Sequence, residues 1–193
     1  MVEMFQTRAS LHQRAYQHRT SSLSEIMIAE AMAMADAHVT LHGVGGRPCR
    51  MSQCTSDMNA YTMLSDWILR SIEFSTEPAL QDSRGLLARL RRRCYYKLVG
   101  ECELPSRYAA SADGRERVVR DMGLDASFVV DVADFGCDVV WSEIPFCTKQ
   151  GVVVVDVPPR HVEVPPPLVR VWSRDVTAPV DAARARFEAW SVR

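Results

Sequence analysis

No apolar run in these 193 residues approaches the ~20 needed to cross a bilayer. Residues Met1 to Arg8 show no basic stretch leading into an apolar one, so a secretory leader is not expected. The six cysteines (Cys49, Cys54, Cys94, Cys102, Cys137, Cys147) form no Cys-x-x-Cys pair, and no histidine stands at metal-ligand spacing from them. Scattered, reduced thiols are the expectation. No His-Asp dipeptide occurs, and the five histidines (His12, His18, His38, His42, His161) are not grouped with carboxylates in any metal pattern. The net charge is only −1, which excludes whole-chain electrostatic attraction to nucleic acid and leaves room only for a local patch. What is abundant is apolar character, 47%, beside 24% charged residues, the balance of a soluble globular chain. The length suits one ordinary domain or two small lobes.

The pattern predicts an α+β protein with a helical first half. Leu23, Ile26, Met27, Ala31 and Met34 recur at helical spacing, giving one long helix over 4–37 or two helices sharing a kink. The sparse glycines then cluster at Gly43-Val-Gly45-Gly46 between β-prone runs, which predicts a β-hairpin near 39–51. A phosphate-cradling loop is the other reading of that cluster, but no GK[ST] ending or helix start follows it. Helical patterning resumes over 53–75 with Met58, Tyr61, Met63, Leu64, Trp67, Ile68 and Ile72 as the apolar set. Thr76-Glu77-Pro78 marks another helix start, with Thr76 as N-cap and the helix running to Arg93. The character changes there. Short β-rich runs follow at 95–102, 128–133, 139–144, 152–157 and 168–172, then a terminal helix at 181–190, with 105–114 as the best loop. The expected division is 1–93, helical, and 94–193, an α+β lobe.

The densest chemistry lies on the first helix. At 100° per residue, Arg8, His12 and Tyr16 fall within about 80° of one another. A guanidinium fork for phosphate oxygens, an imidazole and a stacking phenol in one column suit an anionic, ring-bearing ligand. Arg14 and His18, also four apart, face roughly the opposite way, so one helix can serve two sites. A solvated polar helix whose ring residues happen to align meets the same spacing.

The string Met4-Phe-Gln-Thr-Arg8-Ala-Ser-Leu-His12-Gln-Arg-Ala-Tyr16-Gln17-His18-Arg19 resembles a segment of the SAM and HD domain-containing dNTP triphosphohydrolase family. The likeness continues through Ile26-Met-Ile-Ala-Glu30-Ala31, Gly43-Val-Gly-Gly46, Ser56-Asp-Met-Asn-Ala60-Tyr61-Thr62, Ser75-Thr76 with Pro78, Arg93 and Lys97-Leu-Val-Gly100-Glu101. It thins beyond Glu103 but still includes 128–132 and 168–171.

This resemblance implies the C-terminal portion of an enzyme that hydrolyses a dNTP to a deoxynucleoside and triphosphate. It places Arg8, His12, Tyr16 and Gln17 in substrate binding, with Tyr16 excluding a ribose 2′-hydroxyl. It places His18, Arg19, Arg93, Lys97 and Lys149 in allosteric nucleotide pockets. It further implies guanine nucleotide and dNTP effectors, tetramers or another homo-oligomer, a nuclear or cytoplasmic address, and a divalent metal held by His and Asp residues of an HD half outside this segment. No catalytic residue, metal ligand or bound cofactor is therefore assigned to this chain alone. Where the family has Lys, this chain has Arg19. On an ideal helix Arg19 also points toward the Arg8 column, so sharing a pocket with His18 requires a bend or a long reach. The alternative function is a non-catalytic nucleotide- or single-stranded nucleic-acid-binding module. It is suggested by Arg84, Arg89, Arg91, Arg92 and Arg93, five arginines in ten residues. A solvated helix end carrying cations that favour its C-terminal dipole explains that run equally well.

Overall fold

The computed structural model describes residues 2–108, 114–134, 145–148, 151–154 and 166–192. The fold is α+β with a helical N-terminal part, and it divides into two compact units. One comprises Thr20–Tyr95, the other Met1–Arg19 together with Tyr96–Arg193. The first 19 residues thus group with the late part of the chain rather than with the helices that follow them.

In the Thr20–Tyr95 unit, helix α2 (Arg19–Ala35; α1 is described below) buries Leu23, Met27, Ala31 and Ala35. The interval of four keeps one stripe facing inward. Strands β1 (Thr40–His42) and β2 (Pro48–Arg50) pair antiparallel, with Leu41 opposite Cys49. Gly43 opens the turn between them. Asp57 packs so closely that a Cβ at Gly43 would overlap its carboxylate. That carboxylate accepts from the Val44 N–H at 2.9 Å and from the N–H groups of Asn59 and Ala60, so one side chain pins the turn and caps the short helix α3 (Met58–Tyr61). Asp36 clamps the other flank, accepting from the Ser52 N–H at 2.8 Å and its hydroxyl at 2.7 Å.

The single helix expected over 53–75 is instead a 3₁₀ segment (Met51–Ser56), α3, and α4 (Trp67–Phe74). Asp57 starts a new helix, and the Thr62 hydroxyl donates to the Asn59 carbonyl at 2.9 Å, so local side-chain bonds compete with helix propagation. Of the expected apolar set, Ile68 and Ile72 are buried, whereas Met58, Tyr61, Met63 and Trp67 are exposed. Helix α5 (Gln81–Arg91) follows a 3₁₀ turn at Pro78–Leu80, whose N-cap is Glu77 rather than Thr76.

The second unit carries α1 (Val2–Leu11), a π-helical turn (His12–Tyr16), and strands β3 (Lys97–Glu103), β4 (Phe128–Ala133), β5 (Pro145–Thr148), β6 (Gly151–Val154) and β7 (Leu168–Ser173). It also has helices α6 (Gly114–Met122), which the sequence pattern missed, and α7 (Asp181–Ser191). Strand β7 lies between β3 and β4 in an antiparallel sheet, and β5 pairs with β6. Val99, Val130, Val169 and Val171 pack with Val118 and Met122 of α6 and with Phe187 and Trp190 of α7. Fully burying one such side chain contributes about 1.5–3 kcal/mol. At Gly100, beside a register irregularity in β3, a Cβ would overlap the Phe187 ring, so the absent side chain lets α7 sit on the strand. A polar chain crosses this core: the buried Trp190 indole donates to the Tyr108 hydroxyl at 3.0 Å, and that hydroxyl donates to Asp121 at 2.5 Å.

A candidate two-sided nucleotide site

The first helix does not run straight. In the π-helical turn the Gln17 N–H donates to the His12 carbonyl at 2.7 Å, an i→i+5 bond, so one extra residue enters the turn. Gln17 then leaves helical geometry (φ −100°, ψ 18°), and α2 begins at Arg19. This break introduces a bend between the Arg8–Tyr16 stretch and His18–Arg19.

It has two consequences. On one side, Arg8 and Tyr16 line a cleft of ≈ 670 Å³ with Glu3, Met4, Thr7 and Leu11. Tyr16 is 64% exposed, and its ring lies 6.3 Å from that of His12, tilted by 50°. His12 is half-buried behind it. On the other side, His18 and Arg19 line one cleft of ≈ 280 Å³ with Gln13, Glu101, Leu168 and Arg170. The extra residue shifts the phase of the helix, so Gln13, five before His18, replaces the expected Arg14 as its neighbour.

Arg170 fixes the break. It is 3% exposed, in a strand whose neighbours Val169 and Val171 are buried. Its Nε donates to Glu101 at 2.6 Å, and an Nη donates to the Gln17 carbonyl at 2.8 Å. A cation therefore serves a carbonyl at a helix C-terminus, where the orphan acceptors and the dipole both favour it. Sequence reasoning missed Arg170 and Glu101. The available signal was an arginine inside the apolar run Leu168-Val-Arg170-Val-Trp172, since a buried charge needs a partner and Glu101 lies opposite on β3.

Arg93 occupies another special position. Its N–H donates to the Leu90 carbonyl at 3.0 Å and the Cys94 N–H to the Arg89 carbonyl at 2.9 Å, the paired bonds of a Schellman cap on α5. Its φ is 58°, a conformation ordinarily left to glycine. Its side chain projects into solvent. Lys97 is exposed at the first position of β3. Lys149 lies outside the described residues. In the arginine run, Arg84 donates to the Glu77 carbonyl at 2.6 Å, Arg92 to that of Ala88 at 3.3 Å, and Arg91 pairs with Glu73, so part of that charge is spent within its own unit.

Among the described residues, no three His, Cys, Asp or Glu side chains gather to hold a metal ion. The donor set for the metal that the resemblance implies is therefore not assembled by these residues. Nor, among them, is any helix long and apolar enough to cross a membrane.

No protein-family model matches the chain. It is 37% identical over 153 residues to the human deoxynucleoside triphosphate triphosphohydrolase SAMHD1, covering 70% of this chain and 24% of the human protein. The mouse protein of the same name is 36% identical over 152 residues, covering 72% of this chain and 23% of that protein. The Dictyostelium discoideum SAMHD1 homolog is 37% identical over 101 residues, covering 52% and 18%. The chain thus spans about a quarter of the length of the curated mammalian relatives it matches. The resemblance carried by the helix-one motifs is borne out: this chain is a partial relative of the SAM and HD domain-containing deoxynucleoside triphosphate triphosphohydrolases.

Proposed function

We propose that this chain supplies substrate-pocket and allosteric nucleotide contacts of a dNTP triphosphohydrolase and does not hydrolyse dNTPs alone. The observation that carries the reading is the helix break at Gln17, which gives Arg8 and Tyr16 one cleft and His18 and Arg19 another. In the first, Arg8 is suited to phosphate oxygens and Tyr16 to the deoxyribose and base; Gln17 and His12, which do not line that cleft, are assigned to the same substrate contacts by the family resemblance alone. In the second, His18 and Arg19 are suited to the phosphates of an effector dNTP. Arg93, Lys97 and Lys149 are assigned to effector contacts by the family resemblance alone. Hydrolysis at neutral pH needs an activated water as well as a grip on charge, and a divalent metal supplies that in the family. We assign the metal ligands to an HD half outside these residues, and with it a homo-oligomeric, nuclear setting.

Equilibrium titration of the folded chain with dGTP and GTP tests the grip. Saturable binding weakened about tenfold or more by Arg19→Ala is expected, since a charge-assisted contact is worth ~1.5–3 kcal/mol. Metal-dependent triphosphate release by the pure chain would overturn the division of labour. The second reading, a single-stranded nucleic-acid module, rests on Arg91, Arg92 and Arg93 being exposed. Affinity for single-stranded DNA that falls steeply with salt would favour it.

A further inference from the structure

Two thiols of the Thr20–Tyr95 unit lie side by side and take no part in the reading above. Cys49 stands half-buried on β2, and Cys54 is fully buried in the 3₁₀ segment that follows. Both are free, and their sulfurs are 3.8 Å apart. Both thiols also reach one acceptor: Cys54 donates to the Arg50 carbonyl at 3.2 Å and Cys49 at 3.4 Å, so that carbonyl gathers the two sulfurs together. Among the described residues, Cys94 and Cys102 make no such sulfur–sulfur contact. A disulfide needs the sulfurs at about 2.05 Å, so closure asks for a shift of under ~2 Å. Cys49 is the side chain with more room to turn, being half-buried where Cys54 is fully buried.

We infer that Cys49 and Cys54 form a redox modification site, closing to an intramolecular disulfide by exchange with a small-molecule disulfide. Cys49, the more accessible, attacks the reagent as a thiolate, forming a mixed disulfide and expelling one thiolate. Cys54 gives its proton to solvent and attacks the Cys49 sulfur, expelling the second. The protein loses two protons and two electrons, and one reagent disulfide becomes two thiols. Burial holds the Cys54 thiol up toward its neutral form, which fits its acting second and intramolecularly. The new bond joins β2 to the segment bearing Ser52, whose bonds to Asp36 hold one flank of the hairpin. Oxidation therefore acts on the anchoring of that hairpin.

The test treats the intact, folded chain with oxidised glutathione, blocks remaining thiols and digests with trypsin without reduction. Cleavage after Arg50 separates the two cysteines, so a disulfide keeps their fragments joined. The expected result is a joined pair two hydrogens lighter than its parts, parted by reductant. Cys54→Ser should instead accumulate a glutathione adduct on Cys49, and Cys49→Ser should give neither species. Failure of the wild-type fragments to join, or a persistent glutathione adduct on wild-type Cys49 without joining, would overturn the inference. None of these outcomes depends on nucleotide binding.

Discussion

Arg170 brings a charge into a strand lined by valines, and Glu101 and the Gln17 carbonyl, on different elements, help to meet the cost. Arg170→Met removes the bonds to Glu101 and to the Gln17 carbonyl. Because Glu101 is 33% exposed at its side chain, it rehydrates, so the expected loss is about 1–3 kcal/mol rather than the larger penalty of a stranded, fully buried ion. Arg170→Lys keeps the charge but not the fork, so it should recover only part of that loss. Chemical denaturation of the three proteins checks the order. Arg93 makes the converse case. In a left-handed cap, a non-glycine residue costs about 1 kcal/mol, so Arg93→Gly should raise stability by about that amount. If its guanidinium holds a guanine nucleotide, the same change should weaken GTP binding. A thermal melt and a GTP titration of one variant read the two effects separately. Acid sensitivity follows from two carboxylates. The Val44 N–H holds the Asp57 carboxyl below its ordinary value of 3.8, and the Ser52 N–H does the same for Asp36. A lowered folded value means the stabilisation is complete above 3.8 and is lost as pH falls below it. The thermal midpoint should therefore drop below pH 4, and the gap between wild type and Asp57→Asn should narrow over that window.

At the scale of elements, the π-helical turn decides what the first helix can do. Deleting Gln13 restores a regular repeat and rotates every following side chain by about 100° relative to Arg8. The expected outcome is a folded protein, judged by circular dichroism, whose nucleotide affinity falls to the level of Arg19→Ala. Unchanged affinity would separate the turn from binding. This element marks the limit of what was legible in the sequence. Residue types could be read from Arg8 to Arg19, because they depend on chemistry and spacing, but a kink was only one of two readings of 4–37 and had no position. The extra residue in the turn could not be read, because the Gln17 carbonyl at the end of the turn is satisfied by Arg170, 153 positions away. The hairpin was readable, since a glycine cluster between β-prone runs is a local signal. The break at 57–66 was misread, because apolar periodicity over Met58, Tyr61, Met63 and Trp67 outvoted the polar side chains that end helices there. Those four residues are exposed, so periodicity alone did not identify the core.

Over the whole molecule, the early segment up to Arg19 packs in the same unit as the late sheet. Sequence patterning placed the change of character at residue 93 but had no signal for this return, since long-range pairing leaves no periodic trace. The functional claim needs both clefts to meet nucleotide in one folded chain. The most direct measurement is an amide NMR spectrum of the ¹⁵N-labelled protein titrated with dGTP. Saturable shifts are expected at Arg8–Tyr16 and also at His18, Arg19, Glu101 and Arg170. A well-dispersed spectrum that stays unmoved at either set of residues would overturn that reading.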